Sequence, residues 1–184
     1  PNSNKKEKAF LNVGNYYFAN KKAAYALKWY TKVNREVLST ENKKELDFKM
    51  GYAMLSTGSL KLARKKFLPL INDARYGNDS RYYYGFIAYK QADYDEAETH
   101  LTEIAKQASY KSEATYYLLD ISFKDGRFEK CIEIGKKLLV NKKHKNYSDI
   151  SKIVGESYFN LKKYNEALPY LRAYKGKRGK WNNT

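Results

Sequence analysis

The sequence predicts an all-α fold, a stack of about five helical hairpins, and three residue columns sharing one period predict it. A small residue recurs at Ala26, Ala63, Ala97, Cys131 and Ala167, in steps of 37, 34, 34 and 36 residues. Twelve residues before each stands Gly14, Gly51, Gly85, Leu119 or Gly155. Three before each stands Ala23, Leu60, Tyr94, Phe128 or Tyr164, with Ala23 the weak member. A shared spacing in three columns marks one supersecondary unit, repeated, that buries its apolar face only by stacking on its neighbours.

Read as hairpins, the columns place first helices near 8–20, 43–57, 79–91, 112–125 and 148–161. Second helices follow near 23–36, 60–72, 94–107, 128–140 and 164–174. The glycine and alanine columns must be small because the two helices approach most closely there. Leu119 breaks this rule, and Ser122 and Gly135 in the same repeat are smaller than the residues usual in their columns. Knob and hole are therefore expected to have changed places. Thr57-Gly58 and Asp125-Gly126 supply left-handed residues that end helices. Thr40, Asn78, Ser112 and Ser148 each precede an acidic first turn and are expected as N-caps. Segments 37–43 and 141–147, where the period stretches, read as loops, and the cationic run Asn141–Asn146 is expected to stay solvated.

At 184 residues and 42% apolar composition the chain could close a globular core, but five similar units predict contacts between neighbours instead. The array is expected to occupy 1–184 as one domain, with repeats near 7–40, 43–76, 78–111, 112–145 and 148–181. No apolar run of about 18 residues exists, so membrane insertion by this segment is not expected, and the amino terminus has no cleavable signal pattern. Opening at Pro1 and closing after the fifth hairpin without a polar cap, it reads as a piece of a longer array. Self-association through uncapped end repeats is expected to be available to it. The single cysteine excludes an intrachain disulfide, and Cys131 reads as core filler.

The formal charge is +16, from 29 lysines and 7 arginines against 20 acids. It is uneven: residues 79–104 hold Asp79, Asp93, Asp95, Glu96, Glu98 and Glu103 against Arg81 and Lys90, so the middle hairpin is acidic. That asymmetry weighs against one continuous polyanion track. Catalytic residues, metal ligands and cofactors are not expected. His100 and His144 fall on different hairpins, and no paired-cysteine, metalloprotease, nucleophile-elbow or phosphate-loop motif occurs. Asp93-Tyr94-Asp95 starts like a calcium loop, yet Ala97 replaces the next ligand.

A concave groove lined by the first helices is the better candidate. Counting from the glycine column, its inward positions include Asn15 and Phe18; Phe48 and Tyr52; Tyr82, Phe86 and Tyr89; Tyr116, Asp120, Phe123 and Lys124; then Glu156 and Phe159. Nine are aromatic. Such rings offer wide, stiff contact area at small entropic cost, with tyrosine hydroxyls for orientation. Any single ring could equally pack against the adjacent first helix as core. Glu45, Asp79, Glu113 and Asp149 recur at the rim, where favouring helix amino ends is the stronger expectation.

These columns, with Gly155-Glu156-Ser157-Tyr158-Phe159-Asn160-Leu161 and Tyr164-Asn165-Glu166-Ala167, resemble tetratricopeptide (TPR) repeats over nearly the whole chain. The resemblance implies a right-handed α-solenoid. From Asn15-Tyr16-Tyr17-Phe18 to the Gly176–Thr184 tail, the chain also looks like the amino-terminal portion of long multi-repeat proteins of Bacteroidetes. Those generally carry an export signal, which implies a periplasmic or envelope location. One familiar use of the repeat clamps a peptide carboxylate with Lys and Asn in the groove. Here Leu11 stands at the lysine position and Tyr52 at the second Asn position, so that use is not expected.

Three functions are consistent with these features. The first is a non-catalytic interaction module holding a protein or peptide segment in the aromatic groove. The second is a nucleic-acid-binding solenoid, suggested by +16 and interleaved Tyr and Lys but opposed by the acidic middle hairpin. The third is an architectural spacer with an empty or self-filled groove.

Overall fold

The computed structural model describes residues 2–174, and among them every regular element is helical. The end of the fifth expected repeat and the Gly176–Thr184 tail lie outside the described residues. First helices are α1 (Asn2–Ala19), α3 (Thr40–Ser56), α5 (Gly77–Lys90), α7 (Ala108–Lys124) and α9 (Tyr147–Asn160). Second helices are α2 (Ala23–Tyr30), α4 (Leu60–Phe67), α6 (Tyr94–Ile104), α8 (Phe128–Leu139) and α10 (Tyr164–Ala173). Each second helix starts on the third sequence column. No helix among the described residues is long and apolar enough to cross a membrane. The chain divides into two compact units between His100 and Leu101, within α6.

Every hairpin turn has one construction. The residue seven after the glycine column takes a left-handed backbone: Lys21 (φ 56°), Gly58 (80°), Ala92 (59°), Gly126 (70°) and Lys162 (60°). The next amide then reaches back five residues to a helix carbonyl, as in Lys22 to Tyr17, Ser59 to Met54 and Arg127 to Ser122, at 2.8–2.9 Å. This is the Schellman ending, which satisfies carbonyls that a terminating helix leaves open.

In the first unit, α1 pairs with α2, α3 with α4, α2 with α3 and α4 with α5. The buried Tyr30 ring lies over Gly14, where a Cβ would come within 2.5 Å of two ring carbons. Phe67 does the same over Gly51, at 3.0 Å. The glycine column is therefore the socket for the residue four after the alanine column. Ala26, Tyr30, Val33, Leu46 and Met50 form one core cluster, and Ala63, Phe67, Tyr84 and Ile87 another.

Charged groups fasten the links between these hairpins. Asp47 takes both guanidinium nitrogens of Arg35 at 2.7 and 2.6 Å and the Lys66 ammonium at 2.7 Å. Burial alone would raise its carboxyl, but the Arg35 and Lys66 bonds outweigh that and hold it below the usual carboxylate value. Asp73 pairs with Lys44 at 2.7 Å and accepts the backbone amides of Arg75 and Tyr76, which brings its carboxyl down to about 2.

His100 is 9% exposed, edge-on to Tyr84 at 4.6 Å between ring centres, and its Nε2 lies 3.2 Å from Glu96. Burial first, then Arg81 and Arg64, depress its pKa below the ordinary 6.5, although Glu96 pulls the other way. A depressed histidine contributes stability that is whole above its unfolded value and fades as pH falls through the folded one. The melting temperature is accordingly expected to drop below about pH 6.5. His100→Gln should flatten that part of a calorimetric pH profile, whereas an unchanged slope would exclude this histidine as its cause.

In the second unit, α7 pairs with α8, α8 with α9, α9 with α10 and α7 with α9. Leu171 lies over Gly155, with Cδ2 at 2.6 Å from where a Cβ would sit. The fourth repeat reverses this arrangement. Leu119 is fully buried and sends Cδ1 to 3.7 Å from the Cβ position of Gly135, which Val154 Cγ2 also occupies at 2.2 Å. The expected exchange of knob and hole is thus present, with Val154 as a second knob. Cys131 is buried beside them, its Sγ 3.7 Å from the Leu119 carbonyl, and burial pushes the thiol up to about 11. It is an inert filler.

Helix starts differ from expectation. Ser39, not Thr40, caps α3, accepting the Asn42 amide at 3.3 Å. Asn78, Ser112 and Ser148 lie inside their helices. The expected loop at 37–43 is correspondingly short, because Arg35–Val37 is a 3-10 turn and α3 begins at Thr40. Nor is the cationic run 141–146 wholly solvated. His144 is buried; its Nδ1 accepts the Asn146 amide at 3.0 Å, so the network places the proton on Nε2, which donates to Ser112 Oγ at 2.9 Å. Lys145 pairs with Glu113. Specific partners inside the repeat offset the cost of burying polar groups that composition alone would leave in water.

Candidate functional site

The positions flanking the glycine column share one face of each first helix by their helical spacing. Several of them also touch the second helix of their hairpin: Asn15 accepts the Tyr30 hydroxyl of α2, Phe48 meets Phe67 of α4, Phe123 meets Phe128 of α8 and Phe159 meets Tyr164 of α10. In the first unit this face is a chain of rings in contact. Phe18 of α1 meets Tyr52 of α3 edge-on at 5.6 Å between centres, and Tyr52 meets Tyr83 of α5 edge-on at 5.4 Å. Phe48 lies 6.5 Å from Tyr83 and stacks on Tyr76 at 5.0 Å. Tyr82 stacks on Phe86 at 6.4 Å, and Tyr89 tilts against Tyr94 at 6.3 Å. Tyr52 is 40% exposed; Phe18, Phe48, Tyr82, Phe86 and Tyr89 are half-buried. Phe18, Phe48, Tyr52 and Tyr83 therefore brace neighbouring first helices while keeping part of their surface in solvent.

Tyr83 is the hub that the periodic positions missed. It touches Phe48, Tyr52, Phe67 and Tyr82, and burial, then Tyr52 and Asp79, push its hydroxyl up to about 12. The run Tyr82-Tyr83-Tyr84 was the available signal, because three consecutive rings on a helix cannot all share one face.

Asn15 is held rather than free. Its Oδ1 accepts the Tyr30 hydroxyl and the Lys49 ammonium, both at 2.9 Å, and Lys49 also pairs with Glu45. The rim carboxylate Glu45 is thus neutralised within its own helix. Two pockets of about 210 Å³ open along the α1–α3 seam. One is mixed, lined by Asn15, Glu45 and Lys49 together with Leu11, Tyr30 and Leu46; the other lies against Phe18 and Tyr52, with Lys21, Ala23 and Ser56.

The corresponding face of the second unit is sparser and more polar. On α7, Tyr116 lies 5.5 Å from Tyr117 and 6.5 Å from His144, its hydroxyl raised by burial and by Asp149 and Asp120. Phe123 meets Phe128 edge-on at 5.8 Å. Asp120 pairs with Lys124 along the helix at 3.6 Å, and Lys152 with Glu156 of α9 at 3.6 Å. Phe159, 56% exposed, contacts Tyr164 at 5.2 Å. None of the nine rings is sealed. No group of three or more His, Cys, Asp or Glu among the described residues is arranged to hold a metal ion.

No protein-family model matches this chain, and no curated protein does. Solved structures do. The chain is similar to the structure titled MamA AMB-1 P212121, at 17% identity over 93% of this chain and 91% of that one, with a TM-score of 0.78. It matches MamA MSR-1 C2 at 18% identity over 91% and 94%, TM-score 0.74. It matches a MamA RS-1 ArsTM double mutant at 19% identity over 92% of both chains, TM-score 0.75. At such identities the likeness establishes the fold, a TPR-type helical solenoid.

Proposed function

We propose that the chain is a non-catalytic protein-interaction module in which the ring-lined face of the first helices holds an extended or helical segment of a partner protein. The observation that carries this reading is the Phe18–Tyr52–Tyr83–Phe48 chain, whose rings are fixed by mutual contact before any partner arrives yet stay partly in solvent. Rigid aromatic surface costs little entropy to immobilise, and half-covered rings gain more by completing their burial than flexible side chains would. The pocket against Phe18 and Tyr52 supplies a recess for one inserted side chain. Kinship with long multi-repeat proteins of Bacteroidetes belongs to this reading and rests on the sequence phrases alone.

A benzophenone amino acid introduced at Tyr52 tests the assignment against one at Leu62, an exposed residue of α4. In native cells the probe at 52 is expected to give discrete crosslinked proteins that the probe at 62 does not. Equal crosslinking at both positions would overturn the proposal.

A further inference from the structure

We infer that the outer surface of α4 in the first unit holds a phosphate-monoester site, separate from the ring-lined face. Four cations crowd this helix: Lys61, Arg64, Lys65 and Lys66. Two are committed. Lys66 is held by Asp47 at 2.7 Å, and Arg64 lies 2.7 Å from Asp93 and 3.4 Å from the Gln91 side-chain oxygen, its guanidinium 4.7 Å from the centre of the Tyr84 ring. Lys61 and Lys65 are not. Both are exposed, stand one turn apart on the same helix face, and form no ion pair among the described residues.

These two lysines wall an open pocket of about 570 Å³, completed by Arg64 and Leu68 on their side and by Tyr84, Gln91 and Asp93 opposite. That volume falls in the range of small-ligand sites, roughly 300–1,000 Å³. Because Asp93 is already matched by Arg64, the pocket keeps two uncompensated ammonium groups. A carboxylate would neutralise one of them. A phosphate monoester carries about −1.5 to −2 at neutral pH on three acceptor oxygens, which matches both. Leu68, 48% exposed, gives the organic part of the ester an apolar seat. Arg64 is pre-set by its three contacts, so closing the site requires ordering only the two lysines.

The phosphate could belong to a free small molecule or to a phosphorylated side chain, and titration calorimetry on the intact chain separates these. Phenyl phosphate is expected to bind saturably, and benzoate about tenfold more weakly or not at all. Lys61→Gln/Lys65→Gln should lose about tenfold in affinity for phenyl phosphate with unchanged helix content, while Lys61→Arg/Lys65→Arg keeps most of it. Tyr52→Ala should bind as the parent does, which distinguishes failure here from failure of the ring-lined face. A phosphotyrosine peptide that matches phenyl phosphate assigns the site to a modified protein; a peptide excluded while phenyl phosphate binds assigns it to a small molecule. Absence of saturable phenyl phosphate binding, equal binding of benzoate, or indifference to the double Gln variant would overturn the inference.

Discussion

Phe67→Ala is expected to destabilise the first unit by about 3–5 kcal/mol, the usual cost of emptying a buried phenylalanine site. Phe67 is 0% exposed and is the knob over Gly51, where ring carbons lie 3.0 Å from a would-be Cβ. It also stacks on Tyr83 at 5.3 Å and meets Phe48 edge-on at 5.9 Å. The cavity cannot collapse easily. Gly51 has no side chain to move into it, and Tyr83 and Phe48 are held by their other ring contacts. Because those two rings also belong to the exposed chain, loss of Phe67 should loosen the candidate site as well as the core. Urea denaturation followed by circular dichroism checks the stability term; a midpoint shift worth under about 1 kcal/mol would show that the socket repacks.

Leu119→Ala is expected to cost about 2–5 kcal/mol in the second unit. Gly135→Ala should cost about 1–3 kcal/mol by overpacking, since its Cβ would arrive 2.2 Å from Val154 Cγ2. Combined, the two should cost less than their sum by about 1 kcal/mol. Removing Leu119 opens room into which Val154 can retreat from the new methyl group. Strict additivity in a double-mutant cycle would mean that Leu119 and Gly135 do not share one packing site.

The same pair shows why so much of the fold was legible in sequence. Close packing of two helices requires one small residue opposite one large one, and that requirement is periodic, so even the repeat that breaks the glycine column could be read through Gly135. The turns were only half legible. Gly58 and Gly126 announce a left-handed backbone, but Lys21, Ala92 and Lys162 adopt it without glycine at about 1–2 kcal/mol each. Tertiary pairing of the helices on either side imposes a conformation that local preference would refuse. Helix starts were misplaced for a related reason. Short polar residues at 78, 112 and 148 look like caps, but the packed first helices extend past them, and Ser112 is instead committed to His144.

The candidate site was legible as positions but not as contacts. Periodicity found Phe18, Phe48 and Tyr52 and missed Tyr83, because an off-period ring becomes part of the face only when the next first helix brings it within 5.4 Å of Tyr52. Likewise, spacing puts Asn15 at a groove position but does not show that Lys49 and Tyr30 occupy its oxygen. Charge patterning gave a basic chain with an acidic middle; which lysines stay unmatched on α4 depends on Asp47 and Asp93, reached only in three dimensions.

If a partner polypeptide lies against these rings, replacing Tyr52, Phe86 and Tyr89 together by Ala should loosen its hold. All three side chains reach solvent, so the variant should keep its helical circular dichroism, at a lower melting temperature. Affinity for the polypeptide crosslinked at position 52 should fall by about two orders of magnitude, as expected when several aromatic anchors are removed. Undiminished affinity in a variant that remains helical would exclude binding through these rings.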